Sequence, residues 1–250
     1  MKLVIKNTKE ELGKASAVHA AELINKAIKE QGYARILLST GASQFPFFEK
    51  FVKMNIDWSR VEMFHLDEYV GISEQHPASF KRYLLDRFVN KVNLKAAHLI
   101  DGQKDPDKTI ATLTELLNEK SIDVGLIGIG ENAHIAFNDP PADFNDQRTY
   151  KVVTLDERCL NQQIGEGWFN SIEETYKQAI SMTCSQIMKC KSIISVVPYK
   201  VKAEAIYKTL TSELTPDVPA TLLKQHVDCT IYCDSDSAAL LSPEIREKFE

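Results

Sequence analysis

The chain has 250 residues, 44% of them hydrophobic and 26% charged, a globular composition that excludes a disordered chain, a collagen-like fibre or a coiled coil. No run of about 18 apolar residues is present, so no segment reads as a transmembrane helix, and Met1 to Lys6 regains charge too soon for a secretory h-region. The 30 Lys and Arg against 35 Asp and Glu give a net charge of −5 with scattered basic residues, which argues against nucleic-acid binding and leaves room for a small anionic ligand.

In chain order, Thr8 and Glu11 form a capping box ahead of Leu12, Ala15, Val18, Ala21, Ile24, Ala27 and Ile28, whose spacing predicts a helix closed by Gly32. Ala34 to Leu38 is an apolar run of strand length, followed by a polar turn at Ser39 to Ser43 and a helix over Phe45 to Met54. Val61 to Leu66 reads as a strand and Ala78 to Val89 as a helix. Asp105 and Pro106 open another helix as N-cap and first residue, running to about Asn118. Ile122 to Ile129, Ser192 to Val197 and Cys229 to Cys233 read as strands, with helical segments over Lys200 to Leu210 and Pro219 to Gln225. Short apolar strands alternating with helices predict a single α/β domain over residues 1–250. It is of doubly wound, Rossmann-like type, a mostly parallel sheet with helices on both faces. In such sheets, ligands bind beyond the carboxyl ends of the strands.

The cysteines are Cys159, Cys184, Cys190, Cys229 and Cys233, an odd number at irregular spacing that reads as reduced thiols in a cytoplasmic protein. Cys229 and Cys233 fall on one face of their strand. Without a second Cys or His pair at ligand spacing, buried thiols are a better reading than a metal site.

Three strand ends carry polar chemistry. Ser39-Thr40-Gly41-Ala42-Ser43 joins a strand to a helix, where small residues let backbone amides approach an anion. An ordinary turn capped by Ser43 is the plain alternative, and no Gly-Lys-Ser/Thr follows to make a P-loop. His65-Leu66-Asp67-Glu68-Tyr69-Val70-Gly71 crowds two carboxylates at a strand terminus. One of them, shielded from water, has the raised pKa of a proton-transfer base; a solvated turn is the plain alternative. In Gly128 to Pro140, Glu131, His134 and Asp139 fall close together, the combination that orients an imidazole and stabilises its charged form. The dinucleotide fingerprint G-x-G-x-x-G fails at Ala133, and His134 has no second histidine at zinc-ligand spacing. An anion cradle, a carboxylate base and a His/acid pair at one sheet edge are the equipment for moving protons on a phosphorylated metabolite.

These segments, with His76-Pro77-Ala78-Ser79-Phe80, resemble the glucosamine-6-phosphate deaminase/isomerase family in the same order over nearly the whole chain. The resemblance implies an enzyme that needs no cofactor and converts an amino-sugar phosphate and water into fructose 6-phosphate and ammonia. It makes Asp67 the group that moves a proton between C2 and C1. His134 becomes the ring-opening group, with Asp139, Asn132 and Glu131 as its neighbours. Thr40, Gly41, Ala42, Ser43 and Lys200 become the phosphate contacts, with Glu68 and Arg158 also on the substrate side. Its partner is a small phosphosugar, with neither nucleic acid nor membrane; the family includes both monomers and symmetric assemblies, so a homo-oligomer stays open.

Three residues depart from the family pattern. Many members have aspartate at Asn132, glutamate at Asp139 and arginine at Gln163, so the histidine lacks one charge and the phosphate one bidentate clamp. Pro141-Ala142-Asp143-Phe144 stands where allosterically activated members carry a Ser-Ser pair, so no activation by N-acetylglucosamine 6-phosphate is expected. Two alternatives share the fold. A 6-phosphogluconolactonase typically has arginine at Tyr69. A non-enzymatic sugar-phosphate sensor has no use for both Asp67 and His134.

Overall fold

The computed structural model describes all residues except 156–159, 162–163, 166, 168 and 250. Strand β1 (Lys2–Lys6) leads into α1 (Lys9–Gln31), whose first turn is capped by Thr8: its hydroxyl accepts the Glu11 amide at 3.2 Å. Gly32 ends the helix at φ +84°, with its amide donating to Ile28 O, so both predicted caps form. There follow β2 (Ala34–Leu38), α2 (Phe45–Phe51), β3 (Val61–His65), β4 (Asp67–Tyr69), α3 (Phe80–Arg87), β5 (Ala96–His98), α4 (Pro106–Glu119) and β6 (Val124–Ile127). The second half contains β7 (Tyr150–Thr154), β8 (Gln178–Met182), α5 (Cys184–Ile187), β9 (Ser192–Val197), α6 (Ala203–Thr211), β10 (Cys229–Asp234) and α7 (Pro243–Phe249).

Seven strands form a wholly parallel sheet in the order β1-β10-β9-β6-β2-β3-β5. Alternation along β2 shows how it is covered. Ala34, Ile36 and Leu38 pack with Leu12, Ala17, Ala20 and Ile24 of α1 and the phenylalanines of α2, while Leu37 joins Leu113 and Leu117 of α4 and Ile206 of α6 on the opposite face. Cys229 and Cys233 lie together on that second face, and burial pushes both thiols up to about 12.

The structure departs from the sequence reading in four places. The Ile122 to Ile129 strand is trimmed to β6 because the chain turns away at Gly128. Pro219–Gln225 forms a 3-10 helix, and Lys200–Lys202 forms a 3-10 turn ahead of α6. A second, three-stranded antiparallel sheet, β4-β8-β7, was not foreseen. It matters for function because its edge strand β4 contains Asp67.

Candidate active site

From β2 the chain builds outward through β3 to β5, then returns to the other side of β2 with β6 and continues to β9 and β10. Loops leaving β2 and β6 therefore diverge, which opens a crevice at their carboxyl ends. A cleft of about 190 Å³ lies there, lined by Ser39 to Ser43, Leu66, Asp67, Gly128 to Glu131, His134, Tyr199 and Lys202 among others.

The Ser39 to Ser43 loop is held from three sides. Ser39 donates its amide to Leu126 O of β6 at 2.9 Å; Gln44 donates Nε2 to Val196 O of β9 at 3.0 Å; and the Tyr83 hydroxyl of α3 donates to Gly41 O at 2.9 Å. Gly41 has φ +102°, which a side chain would resist. Thr40, Gly41, Ala42 and Ser43 all line the cleft, as expected. Ser39, which the sequence reading left out of the binding set, also lines it. Its buried Oγ has no hydrogen-bond partner among the described residues.

Asp67 and Glu68 part company. Successive strand residues point to opposite sides, so one enters the cleft and the other leaves it. Asp67 lines the cleft at 6% exposure, and its carboxyl is pushed up to about 8, chiefly by burial and secondarily by the Glu68 charge. Glu68 is fully buried away from the cleft. It accepts the amides of Phe80 (3.2 Å) and Lys81 (2.7 Å) and the Ser79 hydroxyl (2.9 Å), fixing the first turn of α3. Burial raises it to about 7, against the opposing pull of those hydrogen bonds. Glu68, expected on the substrate side, thus lies away from the cleft and anchors the helix that carries Tyr83. Behind Asp67, the Tyr150 hydroxyl donates to His65 O at 2.7 Å. Burial, together with the Asp67 charge, raises its pKa.

After β6, the chain folds tightly around Gly130. Gly130 N–H donates to His134 O, Ala133 N–H donates to Gly130 O, and Ala133 takes φ +65°. This brings the imidazole over Gly130, where an added Cβ would sit 2.3 Å from His134 Nε2. His134 Nδ1 lies 3.0 Å from Asp139 Oδ1, a close approach whose direction falls short of a hydrogen bond. Asn132 braces the pair: its Nδ2 donates to Asp139 Oδ1 at 3.1 Å, and its Oδ1 accepts the His134 amide at 3.1 Å. Asn132 is therefore a brace and Asp139 the acid partner. Glu131 lines the cleft beside them and is exposed.

Of the predicted cations, Lys200 is exposed and does not line the cleft; Lys202, buried at 7% exposure, does. The lysine that reaches the cleft is therefore Lys202 rather than Lys200. A signal for it was present, since positions 202, 206 and 209 fall on one helical face with the buried Ile206 and Thr209. Arg158 and Gln163 lie outside the described residues, as does Cys159. Among the described residues no three His, Cys, Asp or Glu side chains cluster to hold a metal ion, and no helix is long and apolar enough to cross a membrane.

The model of the glucosamine-6-phosphate isomerases/6-phosphogluconolactonase family matches residues 7–232. The chain belongs to that family. Within it, the chain is 36% identical over 258 aligned residues to a glucosamine-6-phosphate deaminase of Thermoanaerobacter pseudethanolicus, covering 100% of this chain and 99% of that one. It superposes on a solved monomeric glucosamine-6-phosphate deaminase with a TM-score of 0.86 and 30% identity, covering 96% of this chain and 100% of that one. A 6-phosphogluconolactonase from Shewanella baltica gives 0.73 at 16% identity, covering 94% and 97%, a likeness of fold alone.

Proposed function

We propose that this protein is a glucosamine-6-phosphate deaminase, an enzyme that releases ammonia from glucosamine 6-phosphate and leaves fructose 6-phosphate. The observation that carries the reading is the separation of two proton-handling groups in one cleft. Asp67 is a buried carboxyl with a raised pKa, and the His134–Asp139 pair is braced by Asn132. Isomerising deamination needs two such groups. Ring opening takes a proton from the O1 hydroxyl and returns one to the ring oxygen, the work of His134 with Asp139 behind it. Asp67 then removes the C2 proton, and an enolamine forms. Returning that proton to C1 gives an imine at C2, water adds there, and ammonia leaves, so one water enters for each ammonia released. A base tuned toward neutral pH suits the carbon-acid step, and such acid–base groups are each worth about 10²–10⁴-fold.

The Thr40 to Ser43 amides and Lys202 hold the phosphate in this reading, with Arg158 as a further candidate donor. The reading treats residues 1–250 as one catalytic domain and places the enzyme in the cytoplasm, in amino-sugar catabolism.

The test is fructose 6-phosphate formation from glucosamine 6-phosphate, with galactosamine 6-phosphate and 6-phosphogluconolactone alongside and a chelator present. Turnover of the glucosamine ester supports the reading, and turnover of the lactone alone replaces it with the lactonase.

A further inference from the structure

Tyr199 stands in a backbone conformation that a tyrosine resists. Its φ is +81° and its ψ 143°, close to the region occupied almost only by glycine. Its surroundings hold it there. Asp234, at 4% exposure, accepts the Tyr199 amide at Oδ2 (3.0 Å) and the Ser237 amide at Oδ1 (2.8 Å), while Tyr199 O accepts the Lys202 amide at 3.0 Å. Lys9 Nζ lies 5.2 Å from the ring centroid, within cation–π range. A strained residue fixed by a buried carboxylate on the wall of a cleft calls for a functional account, because a glycine would relieve the strain at no steric cost.

The side chain's position supplies one. Tyr199 lines the cleft, as the Ser39 to Ser43 loop does, and precedes Lys202 on the same turn. Its phenol is close enough to Tyr83 to contribute to that residue's raised pKa, which is due first to burial, and Tyr83 is the residue that donates to Gly41 O. Among the described lining residues, Lys202 is the one cationic side chain. One lysine beside the loop amides leaves a phosphate dianion with few side-chain donors, and a phenol is a neutral donor that adds no long-range charge.

We propose that Tyr199 is a phosphate-binding residue, its hydroxyl donating to the phosphate of the sugar phosphate beside the Gly41 loop and Lys202. The inference rests on the reading of this cleft as a sugar-phosphate site and adds a residue to it.

The experiment compares wild type, Tyr199→Phe and Tyr199→Gly in two measurements: KM for glucosamine 6-phosphate, and the rise in melting temperature caused by inorganic phosphate. Losing one hydrogen bond to a charged group predicts a KM higher by about tenfold or more in Tyr199→Phe, with a smaller phosphate-induced rise. Tyr199→Gly is expected to share that loss while melting no lower than wild type without ligand, since the backbone strain is relieved. Loss of affinity with stability retained separates a binding role from misfolding. A Tyr199→Phe variant equal to wild type in KM and in its phosphate response overturns the inference and leaves the deaminase reading intact. If wild type fails to turn over glucosamine 6-phosphate, the deaminase reading falls. The phosphate response then decides on Tyr199 by itself: a rise in wild type absent from Tyr199→Phe supports the inference, and equal rises, or none in either, overturn it.

Discussion

Asp67 and Ser181 stand opposite each other across the β4–β8 ladder, and the Ser181 hydroxyl also accepts the amide of Phe137, three residues beyond His134, at 3.0 Å. One fully buried serine therefore ties the strand that carries the carboxyl to the loop that carries the imidazole. Asn138 reinforces the tie by donating to Met182 O on the same strand at 2.9 Å. The small antiparallel sheet thus sets the two groups relative to each other, while the large parallel sheet sets the phosphate loop.

Ser181→Ala leaves the Phe137 amide buried without its acceptor. The expected cost is about 1–3 kcal/mol of stability, seen in denaturant unfolding, together with a fall in kcat that exceeds any change in KM. An unchanged kcat in a stable variant would show that the tie is not needed for alignment.

Asp67→Asn is expected to show opposite effects on activity and stability. A buried carboxyl whose pKa is raised to about 8 makes its full contribution to stability below the unfolded value near 3.8 and loses it as pH rises towards 8. The asparagine variant cannot ionise, so its melting temperature should gain on wild type between about pH 4 and 8. The difference, of order a few kcal/mol at most, then levels off. Thermal melts across that range check the sign.

Gly130→Ala places a methyl group where the His134 ring lies, 2.3 Å from Nε2. The ring must move, and kcat is expected to fall by about 10²-fold with a small change in KM, because misplacing a catalytic group costs that order. A near-normal rate would mean that the imidazole does not need its present position.

Asn132 gives a graded test. Asn132→Ala frees Asp139 from its brace and is expected to lower kcat about tenfold. Asn132→Asp adds negative charge beside the imidazole and favours its protonated form, which moves the histidine-controlled limb of the kcat profile to higher pH. Profiles of the two variants, measured beside wild type, separate bracing from charge.

Much of this was legible from the sequence. Thr8, Gly32 and Asp105 mark helix ends by chemistry that depends on near neighbours, and the structure uses all three. Apolar strands alternating with helices imply the parallel sheet, and so indicate where loops converge. What was hidden depended on contacts distant in sequence. Tyr150–Thr154 and Gln178–Met182 become a sheet only by pairing with each other and with β4. Glu68 lies off the cleft because strand alternation sends two adjacent carboxylates to opposite sides, a signal already present in the sequence. The positive φ of Tyr199 has no sequence signature, since nothing local favours it and the acceptor that holds it, Asp234, lies 35 residues away.

The proposed function rests on Asp67 transferring the proton in a deaminating isomerisation. Its most direct test measures ammonia and fructose 6-phosphate from glucosamine 6-phosphate with wild type and Asp67→Asn, and sugar-phosphate affinity by calorimetry. Wild type is expected to give equal amounts of the two products, and the variant no turnover at an affinity within about threefold. Turnover by Asp67→Asn at a rate near that of wild type would contradict it.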